Sequence, residues 1–203
     1  MRRLARGFSL LEILITIAII GILAVILVSS MRRMIAGGQS TRCLANLHQM
    51  GGAAAQYAIE HRGDLPPAYW QSESGPIIFY RLLNEYLGPY DMYTETKNYP
   101  KIYRCPSDPA PFLDKMASYA CNSSLSKANP PSSGNIYDPD LRASRTILFI
   151  DSNRANLRPG WGGSYESPMF RHAGHANAVM MDGSGVSSFR EGSADLAESW
   201  GLK

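Results

Sequence analysis

The chain has 203 residues, so once an apolar N-terminal run is set aside it holds one modest domain and no more. Arg2, Arg3 and Arg6 account for its whole formal charge of +3, and the remaining basic side chains match the 17 acidic ones. That balance does not point to a nucleic-acid polyanion as partner.

Met1 to Gly7 is a short arginine-rich leader, and the positive-inside bias holds this end in the cytoplasm and sends the bulk of the chain outward. Arg32 and Arg33 beyond the apolar run weaken that bias without reversing it. The 19 residues from Ile13 to Met31 carry no charge, and at ~1.5 Å each in a helix they nearly span the ~30 Å core of a bilayer. No carboxylate occurs between Glu12 and Glu60, whereas Arg32, Arg33 and Arg42 do. This stretch suits lipid headgroups or acidic groups on neighbouring chains, or else is a solvated helix face.

Glu12 stands at the rim of the apolar span and needs a reason. A cleaved signal peptide cut after Ser30 is one reading, but a long apolar core that begins with a glutamate is poorly formed for it. A plain anchor is another, with S-L-L-E at 9–12 closing a capping box between Ser9 and Glu12. That account leaves Gly7 and Phe8 unexplained. The sequence G-F-S-L-L-E followed by an Ile/Leu run resembles the prepilin-type cleavage and methylation motif of type IV pilins and type II secretion pseudopilins. The resemblance implies cleavage between Gly7 and Phe8 by a prepilin peptidase that also N-methylates Phe8. It gives Glu12 a role in assembly, pairing with the amine of Phe8 on a neighbouring subunit. Many such proteins have a proline in the outer part of this helix; here Val28-Ser29-Ser30 occupies that region, and Gly21 and Gly37-Gly38 are the cheap places to unwind. Ala18, Gly21 and Ala24, spaced by three, are where helices from different subunits should approach most closely.

From Arg42 onward apolar residues recur at helical spacing, with Leu44, Leu47, Gly51, Ala54 and Ala58 on one stripe. The helix is expected to end near Arg62, with Gly63 as its left-handed cap ahead of Pro66-Pro67. Membrane span and stem then form one rod of about 50 residues, with His48 an ordinary polar residue on it. Pro76 to Leu87 reads as a short amphipathic helix stopped by Gly88-Pro89. Tyr69, Trp70, Tyr86, Tyr90, Tyr93, Tyr99 and Tyr103 crowd this region, either packing a loop-rich domain, the preferred reading, or presenting a face to glycan or a surface.

Strands are expected at Ala117 to Cys121 and Thr146 to Ile150, and a hairpin at Ala176 to Met181 and Val186 to Phe189 across D-G-S-G. The fold class is therefore α+β: a long N-terminal helix packed against a small antiparallel sheet in a loop-rich exported domain. Residues 171–183 contain His172, nine residues, then Asp182-Gly183, which resembles the H-x(9)-D-G segment of a prepilin-like subgroup. C-P-S-D at 105–108, Cys43-x-x-Asn46-Leu47, S-Y-A-C-N at 118–122 and the strand ending in Asp151-Ser152 extend the likeness along the chain.

Two readings of this segment compete. Asp151, His172, His175 and Asp182 could meet at one sheet edge as a ligand site, but calcium wants more oxygens, and a loop spacing of three does not put both histidines on one face for zinc. In the preferred reading Asp182-Gly183 makes a tight turn and His172 bonds the backbone where the strand begins. No metal and no cofactor are expected. No G-x-S-x-G, H-E-x-x-H or paired-carboxylate pattern appears, so no catalytic residue and no enzymatic activity are expected either. Three cysteines allow one bridge; the family resemblance points to Cys43 with Cys105, and Cys105 with Cys121 stays open because spacing does not fix connectivity.

The expected organisation is a leader over 1–7, a membrane and polymerisation helix over 8–31, an amphipathic stem over 32–63 and an exported pilin-like domain over 64–203. The expected partners are the prepilin peptidase/N-methyltransferase, other pilin-like subunits in a homo- or hetero-filament, an inner-membrane assembly platform and lipid, with no nucleic acid. The expected location is the inner membrane, in a single pass with the C-terminal domain periplasmic. The rival function is a membrane-anchored or pilus-tip module that binds glycan or a surface through the tyrosine-rich face.

Overall fold

A computed structural model describes residues 9–72, 75–88, 101–109, 118–122, 125, 136–137, 142–152, 156–157, 168–191 and 193. Contacts divide the chain into two units, Met1–Gly38 and Gln39–Lys203. One helix, α1 (Leu10–Glu60), contributes to both. Within the first unit it stays helical through Gly21, Gly37 and Gly38, so the glycines do not unwind it. Its hydropathy and length suffice for a membrane crossing, with a mean hydropathy of 3.0 over its most apolar stretch. Its large side chains from Leu10 to Ile35 are exposed, the expected state for a surface whose partner is lipid or other helices.

In the second unit the same helix becomes one-sided. Cys43, Leu47, Met50, Gly51, Ala53, Ala54 and Ala58 are buried, the i, i+3, i+4 recurrence that turns one stripe towards a core. Leu44, expected on this stripe, lies at its half-buried margin. The helix stops at Glu60, and the left-handed positions are Arg62 (φ 57°) together with Gly63 (φ 90°), where Gly63 N–H donates to Ala58 O at 2.7 Å. This satisfies a carbonyl of the last turn.

The main sheet takes β3 (Tyr119–Asn122), β4 (Ile147–Asp151), β5 (Asn156–Leu157), β6 (Ala176–Met180) and β7 (Gly185–Phe189) in the order β5-β3-β4-β6-β7. All neighbours are antiparallel except the short β5, which runs parallel to β3. A separate hairpin joins β1 (Tyr69–Ser72) to β2 (Gly75–Ile78), and α2 (Phe79–Leu87) follows at once. The expected helix from Pro76 is thus corrected. Ile77 and Ile78 pair with Trp70 and Tyr69, a ladder that suits β-branched residues, and the helix begins only at Phe79.

The sheet is buried on both faces along β3, β4 and β6. Tyr119, Cys121, Leu148, Phe149 and Val179 join α1 and α2 in the larger core, while Ala120, Ile147, Ile150, Ala178, Met180 and Phe189 form a second one. This explains why T-I-L-F-I reads as an unbroken apolar run rather than an alternating one. Helix and sheet meet closely at two glycines. A Cβ on Gly51 would stand 3.0 Å from Val179, and one on Gly185 would collide with His48 and Leu44. His48, though exposed, thus lies close against the β6–β7 hairpin at Gly185.

Cys121 is a free thiol and fully buried, and burial pushes its pKa well up. Modification by a maleimide in the folded chain should be at least ~100-fold slower than after denaturation, since only the thiolate of an accessible cysteine reacts. Mass spectrometry of labelled peptides tests this, and rapid native labelling at Cys121 would contradict the packing.

Candidate functional site

At the N-terminal end, Gly7 and Phe8 lie outside the described residues. Ser9 caps α1: its Oγ accepts Leu11 N–H at 3.3 Å, and its carbonyl accepts Glu12 N–H at 3.0 Å. The cap sets Glu12 in the first turn, where a carboxylate is favoured by the exposed N–H groups of the helix. Glu12 is exposed, as are Ala18, Gly21 and Ala24 on the helix beyond it. An acid thus stands at the lip of an apolar cylinder that has no protein covering of its own.

The second place where sequence motifs converge is the end of β4. A disulfide joins Cys43 of α1 to Cys105 of the C-P-S-D loop. His172 Nε2 lies 3.5 Å from Cys105 Sγ and 3.1 Å from Asp151 Oδ2, with both His172 and Asp151 buried. Asp151 Oδ2 also accepts Asn177 N–H at 2.7 Å, so β6 fixes the carboxylate from one side. His172 is not held through its side chain by backbone, as the sequence had suggested. Its main chain exchanges two 3.1 Å hydrogen bonds with His175 across a turn in which Ala173 (φ 53°) and Gly174 (φ 85°) are left-handed, and this turn aims the ring at Asp151.

The other two proposed ligands stand apart from this centre. His175 Nε2 accepts Arg190 Nε–H at 2.9 Å, and the exposed Asp182 carboxylate accepts Ser184 N–H at 2.9 Å within its own turn. Gly183 there has φ 83°, so Asp182-Gly183 shapes the β6–β7 connection. The two ends of H-x(9)-D-G therefore do different work, one in a buried polar centre and one in a solvent-facing turn.

Beside His172 lies a pair that sequence reading missed. Arg171 Nη2 meets Asp108 Oδ2 at 3.2 Å with both side chains buried, and the guanidinium also donates to Ser118 O at 3.0 Å and Ser152 O at 2.7 Å. Ser118 Oγ donates to the same Asp108 oxygen at 2.8 Å. The C-P-S-D loop, the start of β3 and the end of β4 are thus pinned by one arginine. Further along, Asn46 Nδ2 donates to Arg104 O at 3.0 Å and Tyr119 Oη at 3.1 Å, and Asn177 Nδ2 donates to Ser40 O at 3.0 Å. Burial raises the Tyr119 pKa, with the Asn46 hydrogen bond working in the opposite sense. Two amides, the half-buried Asn46 and the buried Asn177, therefore tie α1 to the sheet side of the unit.

The arrangement is not a nucleophilic relay. A relay uses one imidazole nitrogen for the carboxylate and the other for the nucleophile. Here Asp151 and Cys105 address the same Nε2, and Cys105 is in a disulfide. Of the crowded tyrosines, Tyr103 is buried, in line with the packing reading, and donates to Asn84 Oδ1 at 2.7 Å. Tyr86 donates to Glu60 at 2.6 Å, a bond that pushes its pKa up to about 12. The side chains of Tyr69 and Trp70, and Tyr90, Tyr93 and Tyr99 altogether, lie outside what the structure describes.

Residues 2–28 match the family described as the prokaryotic N-terminal methylation motif. Comparison with curated proteins and with solved structures gives no match. The matched segment covers the arginine-rich leader, Gly7, Phe8, Glu12 and most of the apolar part of α1.

Proposed function

We propose that the chain is a pilin-like, or pseudopilin, subunit, made as a precursor, cut between Gly7 and Phe8, N-methylated at Phe8 and assembled through its N-terminal helix into a type IV pilus or type II secretion filament. The observation that carries this reading is the match to the methylation motif over residues 2–28, continuing into a helix whose apolar side chains are exposed from Leu10 to Ile35. A soluble domain would gain nothing from such a surface. A membrane holds it before assembly and the helices of other subunits cover it afterwards. The α+β unit on the far part of the same helix is then the exported portion, and the partners are the processing enzyme, other pilin-like subunits and the inner-membrane machinery that stacks them.

In this reading Glu12 is the register mark. Its carboxylate is tolerable in an apolar sheath only beside a positive partner, and the methylated amine of Phe8 on a neighbouring subunit provides one. At ~4 Å and an effective dielectric near 20, the attraction is ~4 kcal/mol.

The test is the intact mass of the chain extracted from its native membrane. Loss of residues 1–7 together with the gain of one methyl group is expected. A mass lacking residues 1–30 would instead make the product a secreted soluble protein and overturn the proposal.

A further inference from the structure

Cys43 Sγ, Cys105 Sγ, a carboxylate oxygen of Asp151 and a ring nitrogen of His172 all lie within 4.8 Å of one another, and all four residues are buried. Two polar atoms at this place have no hydrogen-bond partner among the described residues: Asp151 Oδ1 and His172 Nδ1. A buried carboxylate oxygen left unmatched is expensive for structure alone, and a cation held beside it would satisfy it. We infer that the Cys43–Cys105 bridge and a bound divalent zinc ion are alternative states of one site: when the bridge is reduced, the two sulfurs, His172 and Asp151 take up one Zn2+.

The donor set is the chemistry zinc selects, two thiolates with an imidazole and a carboxylate. In a tetrahedral zinc site neighbouring ligand atoms are ~3.3–3.8 Å apart. His172 Nε2 already stands 3.1 Å from Asp151 Oδ2 and 3.5 Å from Cys105 Sγ, close to that spacing, and the two sulfurs would have to separate once the bond is broken. The carboxylate ligand is already oriented, because Asn177 N–H holds Asp151 at 2.7 Å. The four ligands come from α1, the C-P-S-D loop, the end of β4 and the turn before β6. The ion would therefore tie the same elements that the disulfide ties.

The exchange balances with a phosphine as reductant. It delivers two electrons to the S–S bond and becomes the phosphine oxide with oxygen from water, whose two protons end on the sulfurs. Zinc then displaces those two thiol protons, and the imidazole binds through Nε2 with its proton on Nδ1.

The experiment uses the full chain in detergent, reduced with a phosphine under anaerobic conditions and titrated with Co2+ as a spectroscopic stand-in for zinc. The expected result is one equivalent of cobalt with thiolate charge-transfer absorption and tetrahedral ligand-field bands, displaced by one equivalent of Zn2+. The oxidised chain should give neither. Cys121→Ser should leave the spectrum intact, Cys43→Ser and Cys105→Ser should abolish it, and Asp151→Asn should weaken binding at least ~10-fold. A reduced chain that unfolds and is refolded by cobalt supports the site equally, read by circular dichroism. A reduced chain that gives no thiolate–cobalt absorption, or gives one that depends on Cys121, overturns it.

Discussion

Replacing Arg171 by alanine is expected to destabilise the folded chain by about 3–5 kcal/mol, the usual consequence of removing one partner of a buried charge pair. The reason is local and countable. Asp108 loses its 3.2 Å ion pair in a place with almost no solvent, and the carbonyls of Ser118 and Ser152 lose donors at 3.0 and 2.7 Å. Urea unfolding of the oxidised chain measures the effect as a lower midpoint. Lysine at the same position should recover only part of it, because one ammonium cannot reproduce a planar fork that reaches a carboxylate and two carbonyls at once. Changing both partners to apolar residues of similar size should cost much less than the two single changes added together. A single Arg171→Ala variant within about 1 kcal/mol of the parent would show the pair to be marginal, as exposed pairs are.

The second large effect is expected in assembly. Glu12→Ala and Glu12→Gln should reduce filament number or the incorporated fraction at least ~10-fold, equivalent to ~1.4 kcal/mol or more per added subunit, within the ~4 kcal/mol available to a close charge pair. Removal of residues 1–7 should proceed as before, since the proposed cut between Gly7 and Phe8 needs no counter-ion on another subunit. Intact mass separates the two steps, and electron microscopy counts the filaments. Normal filaments from a correctly cut Glu12→Ala chain would refute the pairing with Phe8. Aspartate at this position is the informative intermediate: its charge is kept but its reach is one methylene shorter.

Elements were legible in the sequence where a local pattern had only one structural solution. T-I-L-F-I is too short for a helix and too apolar for a half-exposed strand, and it is buried at the centre of the sheet. D-G-S-G shows its turn through residue chemistry alone, and Asp182 closes that turn as expected. The stem stripe read correctly from Leu47 to Ala58 because helical spacing is a local property. Pro76 misled for the same reason. A proline ahead of an amphipathic run fits the first turn of a helix, and only pairing with Tyr69 and Trp70 draws Ile77 and Ile78 into a hairpin.

The polar centre was only half legible. His172 and Asp182 share a motif yet part company in space. Asp151 and Arg171 find their partners, His172 and Asp108, through strand order and loop path. No spacing rule joins C-P-S-D to an arginine that follows its aspartate by 63 residues. The signal available was chemical: an arginine next to His172 and an aspartate three residues after Cys105, each near a residue already under suspicion.

The covalent link between Cys43 and Cys105 spans a sequence separation of 62 and so closes a ring that contains the remainder of α1, the β1–β2 hairpin and α2. Tension applied along the first helix passes from residue 43 straight into the loop ahead of β3, and everything inside the ring is bypassed. A single cut inside that ring would consequently leave the two ends of the chain covalently joined.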